Sequence, residues 1–145
     1  MNSNESLLKD EYLFLQESYD NVDRKCLDIK GWNITLSAAL IAAGFQFHAE
    51  NLFAVTALAS MIFWYMEAFY RGLTFFVRNR IEQIEIVFQN GNCKSEKPLQ
   101  IYSSWDKLFK KEGKQTLKYL FKGHVVLPHL FIMIICLFFY LLGGT

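Results

Sequence analysis

Three long stretches of the chain contain no acidic side chain, lysine or arginine, and they dominate its pattern of polar and apolar positions. They cover residues 31–49, 51–66 and 123–145, which are 19, 16 and 23 residues long. A helix of 19 residues rises about 28 Å, close to the ~30 Å hydrocarbon core of a bilayer. A soluble bundle would have to surround three such helices, and 145 residues are too few for that. The pattern therefore predicts an all-α membrane protein with three transmembrane helices, at about 31–49, 52–77 and 124–142.

The distribution of basic residues predicts how these helices cross the membrane, because cytoplasmic loops carry an excess of lysine and arginine. Residues 78–122 contain ten basic and five acidic side chains, whereas residues 48–51, between the first two spans, contain no lysine or arginine. We therefore expect the N-terminus and residues 78–122 in the cytoplasm and the C-terminus outside. This topology divides the chain into an N-terminal cytoplasmic arm (1–30), a transmembrane hairpin (31–77), a basic cytoplasmic segment (78–122) and a third span (123–145).

The N-terminal arm repeats its apolar residues with the spacing of a coiled coil. Residues 5–30 contain no proline or glycine, and large side chains recur at alternating intervals of four and three, at Leu8, Tyr12, Leu15, Tyr19 and Val22. This stripe can pack against the chain's own cytoplasmic segment, or it can form the seam between subunits of a homo-oligomer. We favour the seam, because three spans of this size provide little core of their own. A tetramer is our working subunit number, and we expect the helix to bend at Gly31.

The pattern of the cytoplasmic segment predicts a continuation of the second helix, followed by a separate basic helix. Apolar residues at helical spacing extend the second helix to about Gln89, where the Asn-Gly-Asn sequence at 90–92 breaks it. Ser103 or Ser104 can cap the next helix, which covers 103–122 and is amphipathic and rich in lysine. This helix either lies on anionic headgroups at the membrane surface or binds an anionic ligand such as a nucleotide. The candidate ligand-binding residues are Trp105, Lys107, Lys110, Lys111 and Lys114.

Ionisable and strongly polar side chains inside the predicted spans are functional candidates, because burying them in lipid is costly. Glu67 and Arg71 lie four residues apart and can pair on one face of the second helix. In the alternative interpretation, Glu67 and Asn33 line a hydrated pathway in an oligomer. For His129, which follows Pro128 in the third span, we expect a hydrogen bond to a neighbouring carbonyl.

Composition and motifs narrow the function classes further. A net charge of +1 excludes a globally basic nucleic-acid binder, and three cysteines without CxxC spacing exclude a disulfide framework or a zinc knuckle. The three histidines fall at opposite faces of the membrane, so we expect no metal site. The sequence contains no HExxH or GxSxG motif and no evident nucleophile–base pair, so we expect neither an enzyme nor a cofactor.

Two segments resemble a known group of proteins. The stretches DRKCLDIKGWNITLSAALIAAG (23–44) and FWYMEAFYRGLTFFVRNRIEQIE (63–85) are similar to small multi-span bacterial membrane proteins, some of which serve as effectors in anti-phage defence. Within this group, the two stretches resemble the membrane effector of Hailong-type systems, which is encoded beside a nucleotidyltransferase. The resemblance implies an oligomeric channel that responds to a nucleotide oligomer and depolarises the cell, with the nucleotidyltransferase as operon partner. It does not extend to residues 90–122 or to the third span.

From the charge pattern, the stripe on the arm and this resemblance, we expect an oligomeric pore in the lipid bilayer of the bacterial inner membrane, gated through its cytoplasmic region by a nucleotide signal. The alternative is a non-conducting membrane subunit that anchors or scaffolds a soluble partner.

Overall fold

Helices are the only regular secondary structure in the part of the chain that this computed structural model describes, namely residues 3–91, 93, 96–112 and 114–143. Their order is α1 (Ser3–Gln46), α2 (Asn51–Gln89), α3 (Ile101–Glu112), α4 (Gln115–Leu120) and α5 (Gly123–Gly143). α1 and α2 form a long antiparallel hairpin, α5 packs against both of them, and α3 and α4 pack on α2. The all-α prediction is confirmed.

α1 is one uninterrupted helix that joins the N-terminal arm to the predicted first span. The helix continues without interruption through Gly31, where we expected a bend. A glycine inside a helix costs only about 1 kcal/mol relative to alanine, so packing on either side keeps the helix intact. The buried residues of α1 recur mostly at intervals of three and four, and they form one stripe because a turn takes 3.6 residues. They are Leu8, Glu11, Leu15, Cys26, Ile29, Asn33, Ser37 and Gly44.

A tight turn reverses the chain between α1 and α2. His48 adopts a left-handed conformation with φ of 50°, and the N–H of Ala49 donates to the carbonyl of Gly44 at 3.0 Å. A β-carbon at Gly44 would lie 3.0 Å from the ring of Phe53. The absence of a side chain at Gly44 therefore lets the two helices approach closely at the turn.

The stripe on the arm packs against the chain's own second helix. α2 continues to Gln89, as the sequence predicts, and runs back along the arm. Leu8 and Leu15 form a buried cluster with Ile84, and Tyr12 packs against that cluster. The hydroxyl of Tyr12 also donates to Glu85 Oε1 at 3.0 Å.

These contacts correct our interpretation of the stripe as a subunit seam. Its most buried residues, Leu8 and Leu15, face α2 of the same chain, while Tyr12, Tyr19 and Val22 are half-buried along the same hairpin. The physical reason is that α2 extends far beyond the apolar stretch. It therefore presents its own apolar residues, such as Ile84, along the arm.

The basic segment forms two helices instead of the single one predicted over 103–122. α3 already begins at Ile101, and the hydroxyl of Ser103 donates to the carbonyl of Gln100 at 3.2 Å, so neither Ser103 nor Ser104 is the N-cap. The glycine at position 113 falls between α3 and α4, and glycine is the ordinary residue with the lowest helix propensity apart from proline.

α3 and α4 run back along α2 in the opposite direction. The ring of Trp105 contacts Phe76, with ring centroids 5.8 Å apart. Closer to the start of α2, the indole N–H of Trp64 donates to the carbonyl of Leu120, the last residue of α4, at 3.0 Å. Between these contacts, α4 passes so close to Gly72 that a β-carbon there would lie 2.9 Å from Thr116 Oγ1. The basic segment is therefore packed against the protein's own α2.

α5 is antiparallel to α2, and the ring of Phe139 contacts both Phe45 and Phe53 near the α1–α2 turn. Pro128 lies inside α5 and has no N–H to donate to the carbonyl of His124, four residues earlier. The ammonium group of Lys30 donates to that carbonyl at 3.0 Å. A proline in α5 thus creates an acceptor for a cation on α1.

Within the part of the chain that the structure describes, two helices, α2 and α5, are long and apolar enough to cross a membrane. In the most apolar 18-residue stretch of α2 only 28% is buried inside the protein, and in that of α5 only 17%. The core helix of a soluble protein, by contrast, is mostly buried. α1 does not meet the same criterion of length and composition, because the predicted first span contains polar residues such as Asn33, Ser37 and Gln46.

Candidate functional site

A polar network connects α1, α2 and α5 in the interior of the bundle, and we define it as Asn33, Ser37, Ser60, Glu67 and His129. Asn33 is 1% exposed, and Ser60, Glu67 and His129 are fully buried. The amide Nδ2 of Asn33 donates to Ser60 Oγ at 3.0 Å and lies 2.7 Å from His129 Nδ1. The hydroxyl of Ser37 donates to Asn33 Oδ1 at 3.3 Å. One asparagine on α1 therefore binds both other long helices.

The hydrogen-bond partners of His129 define its tautomer. An amide NH₂ can only donate, so Nδ1 accepts from Asn33 and carries no proton. Nε2 then carries the proton and donates to Glu67 Oε2, 3.0 Å away. Both ring nitrogens are occupied in this way, and the hydroxyl of Ser60 donates to the backbone carbonyl of His129 at 3.2 Å.

A layer of charged residues adjoins the network at Glu67. Glu67 Oε1 lies 3.1 Å from the ammonium group of Lys30 and 3.8 Å from Arg71 Nε. No hydrogen bond reaches this oxygen within the described residues, so its interaction with the two cations is ionic. Arg71 also forms a salt bridge with Asp23 on α1. Two acids and two bases thus neutralise each other where the apolar part of the bundle ends.

The structure brings the predicted polar residues together, but their partners differ from those expected. Glu67 and Arg71 are near each other, as their spacing predicts, yet Glu67 also contacts Lys30 and His129. Asn33 and Glu67 are buried within one protomer, so the expectation that they line a pathway in an oligomer does not fit their position. The prediction for His129 is wrong, because its side chain binds Asn33 and Glu67. The sequence does contain a signal for these side-chain partners, namely a histidine within an apolar segment. An ionisable group in such a segment needs a polar partner.

A second buried group, which the sequence did not reveal, joins the N-terminal part of α1 to the C-terminal part of α2. Arg80 is 4% exposed and Glu11 is 2% exposed. The guanidinium binds this carboxylate in a bidentate manner, with Nε to Oε1 at 2.9 Å and Nη2 to Oε2 at 3.3 Å. The N–H of Leu99, a residue in the left-handed region with φ of 62°, donates to the same carboxylate at 2.8 Å.

Arg80 also contacts the segment that precedes α3. Its Nη1 donates to Glu96 Oε1 at 2.8 Å. Burial opposes the charge of Arg80, but hydrogen bonds to Glu11 and Glu96 outweigh it, so the pKa of the guanidinium is raised above its ordinary value. Arg80 therefore remains a cation that links α1, α2 and the segment before α3.

A cleft of about 490 Å³ opens beside Arg80, and we call it the basic cleft. It is lined by Arg80, Gln83, Glu96, Lys97, Gln100, Ser104, Lys107, Leu108 and Lys111. Lys107 and Lys111, two of the five predicted ligand-binding residues, thus line one cavity together with Arg80.

The other three predicted ligand-binding residues, Trp105, Lys110 and Lys114, do not line the cleft. The indole of Trp105 stacks on Phe109, with ring centroids 5.1 Å apart. Lys110 pairs with Asp106 at 2.6 Å. Trp105 is therefore a packing residue of α3, and the sequence could not show this because the amphipathic pattern does not specify which face meets α2.

Within the described residues, no group of three or more His, Cys, Asp or Glu side chains is placed to hold a metal ion. No protein-family model, curated protein or solved structure matches the chain. The fold and the site together define an all-helical protein with two helices suited to crossing a membrane, a buried polar network between its long helices, and a basic cleft at the far end of the hairpin.

Proposed function

We propose that the chain is one subunit of an oligomeric pore in a bacterial inner membrane. Residues 31–46 of α1 cross the membrane together with α2 and α5, and the N-terminus and basic segment lie in the cytoplasm. A nucleotide signal acts on the cytoplasmic region, and opening of the pore depolarises the cell in anti-phage defence. The observation that carries this proposal is the composition of the outward face of α1.

The face of α1 opposite its buried stripe consists of small and polar residues. They are exposed in the protomer, and they are Gly31, Thr35, Ala38, Ala39, Ala42 and Gln46. A β-carbon at Gly31 would meet nothing within 4 Å. Small residues are enriched where transmembrane helices pack closely against each other. This face of α1 therefore suits contact with other subunits and with a central aqueous path.

The exposed residues of α2 and α5 have the opposite character. On α2 they include Val55, Leu58, Met61, Ile62 and Phe69, and on α5 they include Leu127, Phe131, Ile134, Leu137 and Phe138. Such bulky apolar side chains suit contact with lipid. The exposed faces of α2 and α5 thus suit lipid. On α1, the face opposite the buried stripe suits a protein or water environment, and large apolar side chains flank it, namely Trp32, Ile34, Leu36 and Phe45. A ring of subunits with this face of α1 at the centre fits the distribution.

The uninterrupted α1 supplies a route from the cytoplasm to this face. Glu11, bound by Arg80, and Gly31 are 20 residues apart on the same helix, which corresponds to about 30 Å. A ligand shifts a closed–open equilibrium only if it binds the two states with different affinity. A ligand that changes the contacts around Arg80 would meet this requirement, because it would move the cytoplasmic end of the helix that lines the pore.

Ion flux through reconstituted liposomes tests the proposal. Cysteine is introduced at Thr35 or at Ala42, in a Cys93→Ser background because Cys26 and Cys136 are buried. A membrane-impermeant cationic thiol reagent should then block the flux. Leu58→Cys, exposed on α2, is the matched control and should not be blocked. Absence of any flux, with or without nucleotides, would refute the pore, and block only at position 58 would refute α1 as its lining.

A non-conducting anchor for a soluble partner is the second candidate, and exposed apolar residues on the arm favour it. Leu13 is 52% exposed and Phe14 is 58% exposed, although both lie in the predicted cytoplasmic part of α1. The nucleotidyltransferase implied by the resemblance is the partner to test. If Leu13→Glu with Phe14→Glu abolishes its co-purification and the wild type conducts no ions, the anchor replaces the pore.

A further inference from the structure

We propose that the basic cleft binds a small anion that carries two or more adjacent phosphoryl groups. This inference names a ligand class and a site for the cytoplasmic gating of the proposed pore and rests on that function for its biological role. The binding itself does not require that the protein conduct ions.

The cleft carries more positive than negative charge, although Arg80 is already paired with Glu11 and Glu96. Among the described residues, four cationic side chains line it, namely Arg80, Lys97, Lys107 and Lys111, together with one carboxylate, that of Glu96. Lys107 and Lys111 are exposed, and within the described part of the chain neither forms an ion pair or hydrogen bond. Like charges four residues apart on a helix repel each other. An anion between them removes this repulsion, so the cleft favours a multiply charged ligand over a single carboxylate.

The remaining polar residues of the cleft suit phosphate oxygens. Gln83, Gln100 and Ser104 line the same cavity and provide amide and hydroxyl donors. Arg80 is held in place by the buried carboxylate of Glu11, so its guanidinium is oriented before any ligand arrives. Nη1 of Arg80, which binds the partly exposed Glu96, is the donor that a phosphate oxygen can take. The cavity of about 490 Å³ is large enough for a chain of two or three phosphoryl groups.

Glu96 occupies one part of the position that a phosphate would take. Its carboxylate binds Arg80 Nη1 at 2.8 Å, and its side chain is 35% exposed. A phosphoryl group can replace this partly exposed carboxylate while Arg80 keeps its bidentate contact with the buried Glu11. Removal of the negative charge at Glu96 should therefore strengthen the binding of the anion.

The position of the cleft admits two sources for the phosphate. Arg80 lies nine residues beyond Arg71 on α2, or about 14 Å further from the charged layer around Glu67. A soluble oligophosphate reaches the cleft freely from the cytoplasm, and a multiply phosphorylated lipid headgroup would have to extend over this distance. Both sources offer the same chemistry to the cleft, and the experiment separates them.

The site is tested by titrating the full-length protein in neutral detergent with tripolyphosphate and measuring the binding affinity by isothermal titration calorimetry. We expect Lys107→Glu and Lys111→Glu each to weaken binding by about tenfold or more, since hydrogen bonds to charged groups are the strong ones. Lys110→Glu is the matched control, because it makes the same charge change on the same helix while Lys110 pairs with Asp106 outside the cleft. The affinity of this variant for tripolyphosphate should stay within about threefold of the wild type. Glu96→Gln should bind more tightly.

Repeating the titration in nanodiscs distinguishes the two sources. If phosphoinositide-containing nanodiscs bind tripolyphosphate more weakly than phosphatidylcholine nanodiscs, and Lys107→Glu removes this difference, a lipid headgroup uses the cleft. Equal affinity in both nanodiscs assigns the cleft to a soluble ligand. Absence of tripolyphosphate binding by the wild type in detergent and in both nanodiscs overturns the proposal. An equal loss in Lys110→Glu and Lys107→Glu also overturns it, whatever the liposome flux shows.

Discussion

The buried pair of Arg80 and Glu11 provides the sharpest test of how the two long helices are held together. We predict that Arg80→Met loosens the end of the hairpin that lies opposite the α1–α2 turn. The methionine fills similar space, but it leaves the carboxylate of Glu11, which is 2% exposed, with the N–H of Leu99 at 2.8 Å as its remaining hydrogen-bond donor. Two guanidinium contacts, at 2.9 and 3.3 Å, are lost.

The expected magnitude follows from the burial of both partners. Removing one member of a buried ion pair costs about 3–5 kcal/mol, because the other charge remains buried without its partner. The N–H of Leu99 stays in place, so the lower end of this range applies. At about 1.4 kcal/mol per tenfold change, 3 kcal/mol corresponds to a fall of about 100-fold in the equilibrium constant for local closing.

Hydrogen exchange of the purified protein measures this change directly. Peptides from residues 5–20 and 78–90 should lose protection by about 100-fold, whereas peptides from 130–140, at the other end of the bundle, should not change. In the double variant Glu11→Leu with Arg80→Met both charges are gone, and most of the protection should return. A loss below about tenfold in Arg80→Met, or a double variant as poor as the sum of the single variants, would refute the reasoning.

Three further outcomes follow from the packing and the burial. Gly72→Ala should destabilise the protein by about 1–3 kcal/mol and lower its thermal midpoint, because the new β-carbon would lie 2.9 Å from Thr116 Oγ1 and 3.2 Å from its backbone nitrogen. Gly31→Ala, with nothing within 4 Å, is the control and should not lower the midpoint. Asn33→Leu should lower the free energy of unfolding by about 1–3 kcal/mol, because it removes the amide that donates to both Ser60 and His129. An unchanged thermal midpoint would contradict the polar network. Burial raises the pKa of the Cys26 thiol to about 11, so maleimide at pH 8 should label Cys93 well before Cys26, and equal labelling rates would argue against this packing.

The sequence by itself determined the helices and most of their limits. The break of α2 after Gln89 was predictable because Asn90 and Gly91 end the apolar periodicity, and Gly91 indeed has a φ of 66°. The buried stripe on the arm was also predictable, because the period of 3.6 residues is a local property of the chain. Charge segregation identified the apolar segments of α2 and α5, and both are long and apolar enough to cross a membrane.

Only the tertiary structure decided which of these faces meet. The stripe through Leu8 and Leu15 is equally suited to a second copy and to its own α2, and the length and antiparallel course of α2 select the latter. The same register places Arg80 opposite Glu11 across 69 residues of sequence, and it places His129 beside Asn33 across 96. Periodicity specifies a direction around one helix, whereas a site needs the relative position of several helices. The polar network and the basic cleft could therefore not be assembled from the sequence, although Asn33, Glu67, His129, Lys107 and Lys111 stood out in it.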